Sequence, residues 1–182
     1  MRKVTSLSFP PSSVLFDKGI IRRVYERRVR LAAGGAPTLL QVEAANAYAR
    51  ITSVTDRLHI TKQTANILQR RTPIFAAPLL ADLQPLKKGR YLRRWARRLR
   101  DSGFSPEDAI ILAYGSFGVI ADLSSIGVEA IITTDLKLAA KYQDNYMEIE
   151  RRFEEMVNAL AGTYATLSLP QVLTTTEVLA KF

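Results

Sequence analysis

The stretch "VEAIITTDLKLA", residues 128–139, decides the fold. Its apolar, partly β-branched run predicts a buried strand that stops at Thr133, Thr134 and Asp135, and "LKLA" begins a helix-like segment. A buried strand has no need of a carboxylate at its tip. The arrangement recurs near the start of the chain, where "SVLF" (13–16) ends in Asp17. There "KGIIRRVYERRVRLAAGG" follows, with Ile20, Ile21, Val24 and Leu31 at roughly helical spacing and Gly34–Gly35 as the stop.

Working outward, "APTLLQVEAANAYARITSV" (36–54) predicts a short strand or turn at Pro37–Thr38 and then a helix, Ala-rich from Glu43 to Arg50. "TKQTANILQRR" (61–71) predicts another short helix. Residues 72–89 hold three prolines, which argues against a long helix and leaves room for a short strand at "PIFA" or "PLL". "RYLRRWARRLRDSG" (90–103) is amphipathic, with Leu92, Trp95, Ala96 and Leu99 on one face and Gly103 at its end. "SPEDAIILAYGSFG" (105–118) opens a helix with Ser105 as N-cap, Pro106 in the first turn, and Glu107 and Asp108 facing the positive end of the dipole. "NYMEIERRFEEMVNALAG" (145–162) predicts a long helix with an Asn145–Glu148 capping box, "YATLSL" (164–169) a last strand, and "TTTEVLAKF" (174–182) a closing helical turn. Strands alternating with helices indicate an α/β fold with a largely parallel sheet.

Composition bounds the chemistry. The 182 residues suit one domain over 1–182. Without cysteine there are no disulfides, thiolate metal sites or cysteine nucleophiles, which fits a reducing cytoplasm. The single histidine, His59, excludes His-rich zinc sites and reads as a structural or surface residue. The N-terminal stretch does not read as a signal peptide, and no window approaches a membrane span of about 18 apolar residues, so no membrane partner is expected. The balance of 26 Lys and Arg against 17 Asp and Glu gives +9, a field that attracts polyanions.

In an open α/β sheet, ligands bind outside the carboxyl ends of the strands. If the strands ending in Asp17 and Asp135 are neighbours, about 4.8 Å apart, their carboxylates lie side by side and repel unless a proton or cation is shared. A hard divalent cation that takes carboxylate oxygens and keeps several waters answers that problem. Glu43 and Asp108 share core-directed faces of their helices. Each acid also has a plain structural reading: Asp17 as turn or cap, Glu43 as a surface acid, Asp108 as a dipole partner, Asp135 as an N-cap.

At these residues the chain resembles the PIN domain family of compact α/β metal-dependent nucleases. The resemblance runs from "SVLFDKGIIRRVYE" through "LLQVEAANAY", "SPEDAIILAYG" and "EAIITTDLKLA" to "ATLSLPQVLT". It implies a three-layer sandwich around a mostly parallel sheet of four to five strands in the order 3-2-1-4-5, with a long helix near 145–161 as an addition. It implies an acidic quartet of Asp17, Glu43, Asp108 and Asp135 holding Mg²⁺ or Mn²⁺. Asp17, Asp108 and Asp135 would be the metal ligands, Glu43 a water-positioning acid, and Thr134 a partner of a carboxylate or of substrate phosphate. The implied activity is endoribonuclease hydrolysis, in some members as the toxin of a toxin–antitoxin pair. The implied partners are RNA or single-stranded DNA, an antitoxin protein and a second copy of the chain. Lys18 and Gly19 follow Asp17 where the family usually has small polar residues. That departure motivates the alternative of a PIN-like nucleic-acid-binding protein with a weakened or inactive metal site.

The basic residues suit either reading. "KKGRYLRRWARRLR" (87–100) has eight basic residues in 14, and Arg93, Arg94, Arg97 and Arg98 fall away from the apolar face. A solvated helix face usually mixes both signs, so phosphate contact is the functional reading here. Lys18, Arg22 and Arg23 add positive charge directly after Asp17. Trp95 belongs with the apolar residues as core. A third class, a basic domain that engages an acidic protein, would show tight partner binding without salt-dependent RNA affinity.

Overall fold

The computed structural model describes residues 10–120, 125–160 and 162–181. The elements are β1 (Ser13–Phe16), α1 (Lys18–Ala32), α2 (Leu39–Thr52), β2 (Arg57–Thr61), α3 (Lys62–Gln69), α4 (Pro73–Asp82), β3 (Gln84–Lys88), α5 (Leu92–Asp101) and α6 (Pro106–Phe117). Then follow β4 (Gly118–Val119), β5 (Ala130–Thr133), α7 (Leu136–Asp144), α8 (Tyr146–Asn158), β6 (Gln171–Thr174) and α9 (Thr175–Lys181). The strands form one sheet in the order β4-β3-β2-β1-β5-β6, parallel throughout except for β3 with β4.

Side-chain alternation along the central strands builds a core on each face of the sheet. Val14 and Phe16 of β1 join Ala130 and Ile132 of β5 in one core, under side chains from α1, α2, α3, α4 and α9. Leu15 and Ile131 point the other way, into a core closed by α5, α6, α7 and α8. Burial on both faces is why "SVLF" and "AIIT" read as almost continuous apolar runs. Trp95 of α5 is 1% exposed and packs edge-on against Phe117 and Phe153. α6 presses onto the sheet at Gly115, where an added Cβ would fall 2.6 Å from Ile131 Cδ1.

Six strands replace the expected four to five; the five parallel strands run β3-β2-β1-β5-β6, and the added β4 outside β3 makes the order of the whole sheet differ from 3-2-1-4-5. The two-residue β4 is a short antiparallel return that pairs outside β3, with Lys87 opposite Val119. β2 has no clear sequence signal, because "RLHIT" is short, carries a polar ring mid-strand and lacks simple alternation. No strand forms at Pro37–Thr38. Thr38 is instead the N-cap of α2 and makes a reciprocal capping box with Gln41. "PIFA" and "PLL" belong to helix α4, which tolerates Pro73 because it sits in the first turn, where no N–H is needed. The strand of that region is "QPLKK". "YATLSL" is not a strand: Gly162–Thr166 form a 3-10 turn, and the strand begins after Pro170, where Val172 pairs beside Ile131. The Asn145–Glu148 capping box is absent, since Asn145 donates to the Lys141 carbonyl and Glu148 accepts from Arg151 and Arg152. Among the described residues no helix is long and apolar enough to cross a membrane.

Trp95→Ala should lower the unfolding free energy by about 3–5 kcal/mol, the usual cost of emptying an aromatic site in a packed core. Urea denaturation followed by circular dichroism reads this. A loss below about 1 kcal/mol would mean that α5 is not anchored through the ring.

Candidate metal centre at the β1–β5 edge

The site begins with strand order. Phe16 pairs with Ile132 in register, and the Asp17 amide donates to the Ile132 carbonyl at 2.9 Å. Asp17 therefore leaves β1 directly beside Thr133, the last residue of β5. The chain crosses toward β2 on one side of β1 and reaches β5 on the other, so this edge is the topological switch point of the sheet.

Asp17 occupies the N-cap position of α1, yet its side chain makes no capping bond. Its Oδ2 instead accepts from the Thr133 hydroxyl at 3.1 Å. Burial raises the Asp17 pKa above the usual carboxylate range, opposed by the Thr133 hydroxyl, the Lys18 and Gly19 amides and the Lys18 charge. A Cβ at Gly19 would lie 2.7 Å from Thr134 Oγ1 and 3.4 Å from Asp17 Oδ2. Gly19 thus lies tight against an acid and a hydroxyl.

Asp135 reaches the same edge through Thr133, whose Oγ1 accepts from the Asp135 amide at 2.9 Å. Its Oδ1 accepts from the Lys137 and Leu138 amides at 2.9 and 3.0 Å, so one oxygen caps α7. Glu43 of α2 is held elsewhere on the rim. Its Oε1 accepts from Thr175, and from Thr176 at 3.1 Å, both just beyond the end of β6. The start of α6 is tied to the start of α1 by Lys18 Nζ and Glu107 Oε2, 3.0 Å apart and exposed. Asp108, next to Glu107, has no hydrogen-bond or ion-pair partner for its carboxylate among the described residues. Lys18 is therefore paired with Glu107 and leaves Asp17 unbridged.

Among the described residues no three acidic or histidine side chains converge into a metal-holding group. Asp17 and Asp135 stand at the same sheet edge, linked through Thr133, whose hydroxyl donates to the Asp17 carboxylate and accepts from the Asp135 amide. This fits a Mg²⁺ or Mn²⁺ ion, which is commonly held by one or two carboxylates with waters completing its shell. A desolvated carboxylate answered mainly by hydroxyl and amide donors is also one that a cation would relieve. Sequence reasoning misses Thr133, Thr175 and Thr176 as carboxylate holders. The doubled threonine of "ITTD" is the available signal, since alternation turns one hydroxyl toward the neighbouring strand.

The basic residues divide between the two faces. Arg22 is exposed and 3.7 Å from Glu26, whereas the Nε atoms of Arg23 and Arg27 are buried and have no hydrogen-bond partner among the described residues. Arg93, Arg94 and Arg97 are exposed on α5, across the sheet from α1. Arg98 is half-buried and donates to the Arg152 carbonyl at 3.2 Å, which makes it a tie between α5 and α8. No protein-family model, curated protein or solved structure matches this chain.

A carboxyl whose folded pKa exceeds its unfolded value of about 3.8 favours the fold below that value and opposes it as pH rises through the folded pKa. Asp17→Asn should therefore be more stable than the wild type at pH 7 in EDTA, with the difference closing toward pH 3. Urea midpoints across that range test this. A destabilised Asp17→Asn at pH 7 would contradict the reading of Asp17 as a strained, desolvated carboxylate.

Proposed function

We propose that the chain is a Mg²⁺/Mn²⁺-dependent endoribonuclease of PIN-like design, with its centre at the β1–β5 edge. The observation that carries this is the desolvated Asp17 carboxylate at the switch point, beside Thr133–Asp135. Asp17 and Asp135 supply the anionic oxygens that hold the metal, and Thr133 fixes the Asp17 carboxylate. A bound ion would supply an activated water and charge stabilisation for in-line attack on the phosphodiester. Thr134, beside Gly19, is positioned to donate to a phosphate oxygen. Asp108, unpaired at the start of α6, is available to hold water near the Lys18–Glu107 bridge. Glu43 sets the rim through its two threonine contacts. The +9 charge draws the polyanion in, with Arg93, Arg94 and Arg97 as exposed phosphate contacts.

The second reading, an RNA-binding protein with a weakened metal site, is favoured by two observations. Asp135 spends one oxygen on capping α7, and Glu43 is held by threonines. Cleavage of a mixed RNA pool in Mg²⁺, Mn²⁺ or EDTA separates the two. The nuclease reading expects metal-dependent cleavage that falls by at least about 100-fold in Asp135→Asn, the scale of losing one electrostatic stabiliser of the transition state. Salt-sensitive RNA binding with no cleavage in any metal would establish the second reading instead.

The α5 arginines make a separate prediction. Replacing Arg93, Arg94 and Arg97 with alanine should weaken RNA binding across sequences. It should also flatten the salt dependence by about 0.7 for each phosphate no longer neutralised, as for single strands. An unchanged slope would remove α5 from the interface.

A further inference from the structure

A groove of about 730 Å³ lies over β2 and β3, and neither Asp17, Glu43, Asp108 nor Asp135 lines it. That volume is within the range of small-molecule sites. Leu86, Tyr114 and Ile120 give it an apolar floor, while Lys62 and Asn66 face it from one side of α3 and Lys88 from β3. His59 also lines it. Its side chain points from β2 toward the α5–α6 face, in register with Leu15 and with Gln84. His59 is 1% exposed, and neither ring nitrogen has a hydrogen-bond partner among the described residues. Leaving a buried polar group unpaired is costly, and in a native fold such a group calls for an explanation. Burial, the largest influence, holds the imidazole pKa below its usual value, which favours the neutral ring, at once a donor and an acceptor.

The lining matches one kind of ligand. An apolar floor suits the face of a flat ring, neutral imidazole and amide groups suit the edge of a base, and ammonium groups suit a phosphate. A bare anion would leave the floor unused, and an acyl chain would leave His59 and Asn66 unpaired. Position narrows the choice further. Lys62 follows the last residue of β2 and Lys88 ends β3, so both stand at the sheet edge where Asp17 follows β1. A single strand running along that edge from Asp17 meets these lysines next.

We propose that this groove is a base pocket. It takes the base of one nucleotide of single-stranded RNA against Leu86 and Tyr114, hydrogen-bonded by His59 and Asn66, with phosphate on Lys62 and Lys88. The proposal rests on the RNA-binding part of the proposed function, but not on cleavage.

The chain has one histidine, so its imidazole NMR signals need no assignment. Asp17→Asn protein in EDTA, which cannot consume RNA, would be titrated with the four ribonucleoside 5′-monophosphates, ribose 5-phosphate and a short single-stranded oligoribonucleotide. The expected result is a saturable shift of the His59 signals with at least one monophosphate and none with ribose 5-phosphate. The oligonucleotide should produce the same shift at lower concentration. Lys62→Ala and Asn66→Ala, at exposed positions that spare the core, should each weaken binding about tenfold, the loss expected for one good hydrogen bond or ion pair. No shift with any monophosphate at millimolar concentration would overturn the pocket, and a monophosphate shift without tighter oligonucleotide binding would overturn its assignment to RNA. Neither result depends on whether the wild type cleaves.

Discussion

The hydrogen bond from the Asp17 amide to the Ile132 carbonyl extends the β1–β5 ladder one residue past the end of β1. It holds a carboxylate against the hydroxyl-bearing tip of the next strand. The cost is a desolvated acid at the centre of the sheet edge, offset in part by Thr133 and the first amides of α1. Both α1 and α7 start at this edge, one from Asp17 and the other from Asp135. The aspartates differ in occupation. Asp135 accepts from the Lys137 and Leu138 amides of its helix, whereas the Asp17 carboxylate accepts from the Thr133 hydroxyl of the neighbouring strand.

Electrostatics at larger scale follows from the layers. The arginine-rich helices α1 and α5 cover opposite faces of the sheet, so the +9 charge does not gather into one basic stripe beside the acids. Its effect is a broad positive field rather than a local patch. Some of the basic residues are already employed: Lys18 bridges to Glu107, Arg28 donates to the Phe75 carbonyl, and Arg98 ties α5 to α8. Arg93, Arg94 and Arg97 are exposed on α5.

What the sequence disclosed depended on how local the cause was. β1 and β5 were legible because strands buried on both faces must be apolar throughout, and α5 because its Leu92–Trp95–Leu99 face alternates with arginines. α6 was legible through Ser105, whose hydroxyl accepts from the Asp108 amide. β2, β3 and β6 were not legible, because "RLHIT", "QPLKK" and "QVLT" carry polar residues and a proline that only pairing partners make tolerable. "YATLSL" has equal claim to be a strand, but Tyr164 packs edge-on against Tyr91 and the chain joins the sheet only after Pro170. In the site, the strand-tip aspartates could be read from the sequence. Their holders could not, since Thr133 to Asp17 and Thr175 to Glu43 join residues more than a hundred positions apart. His59 gave no local sign that its ring would be buried in a groove.

Whether the β1–β5 edge binds a divalent cation can be read directly from paramagnetic broadening of backbone amide signals during a substoichiometric Mn²⁺ titration. Loss of signal centred on Asp17–Gly19 and Thr133–Asp135, reversed by excess Mg²⁺ and absent in Asp17→Asn, is the expected pattern. Broadening centred on the α8 acids Glu148 and Glu155, or diffuse broadening that Asp17→Asn leaves unchanged, would contradict a metal centre at the switch point.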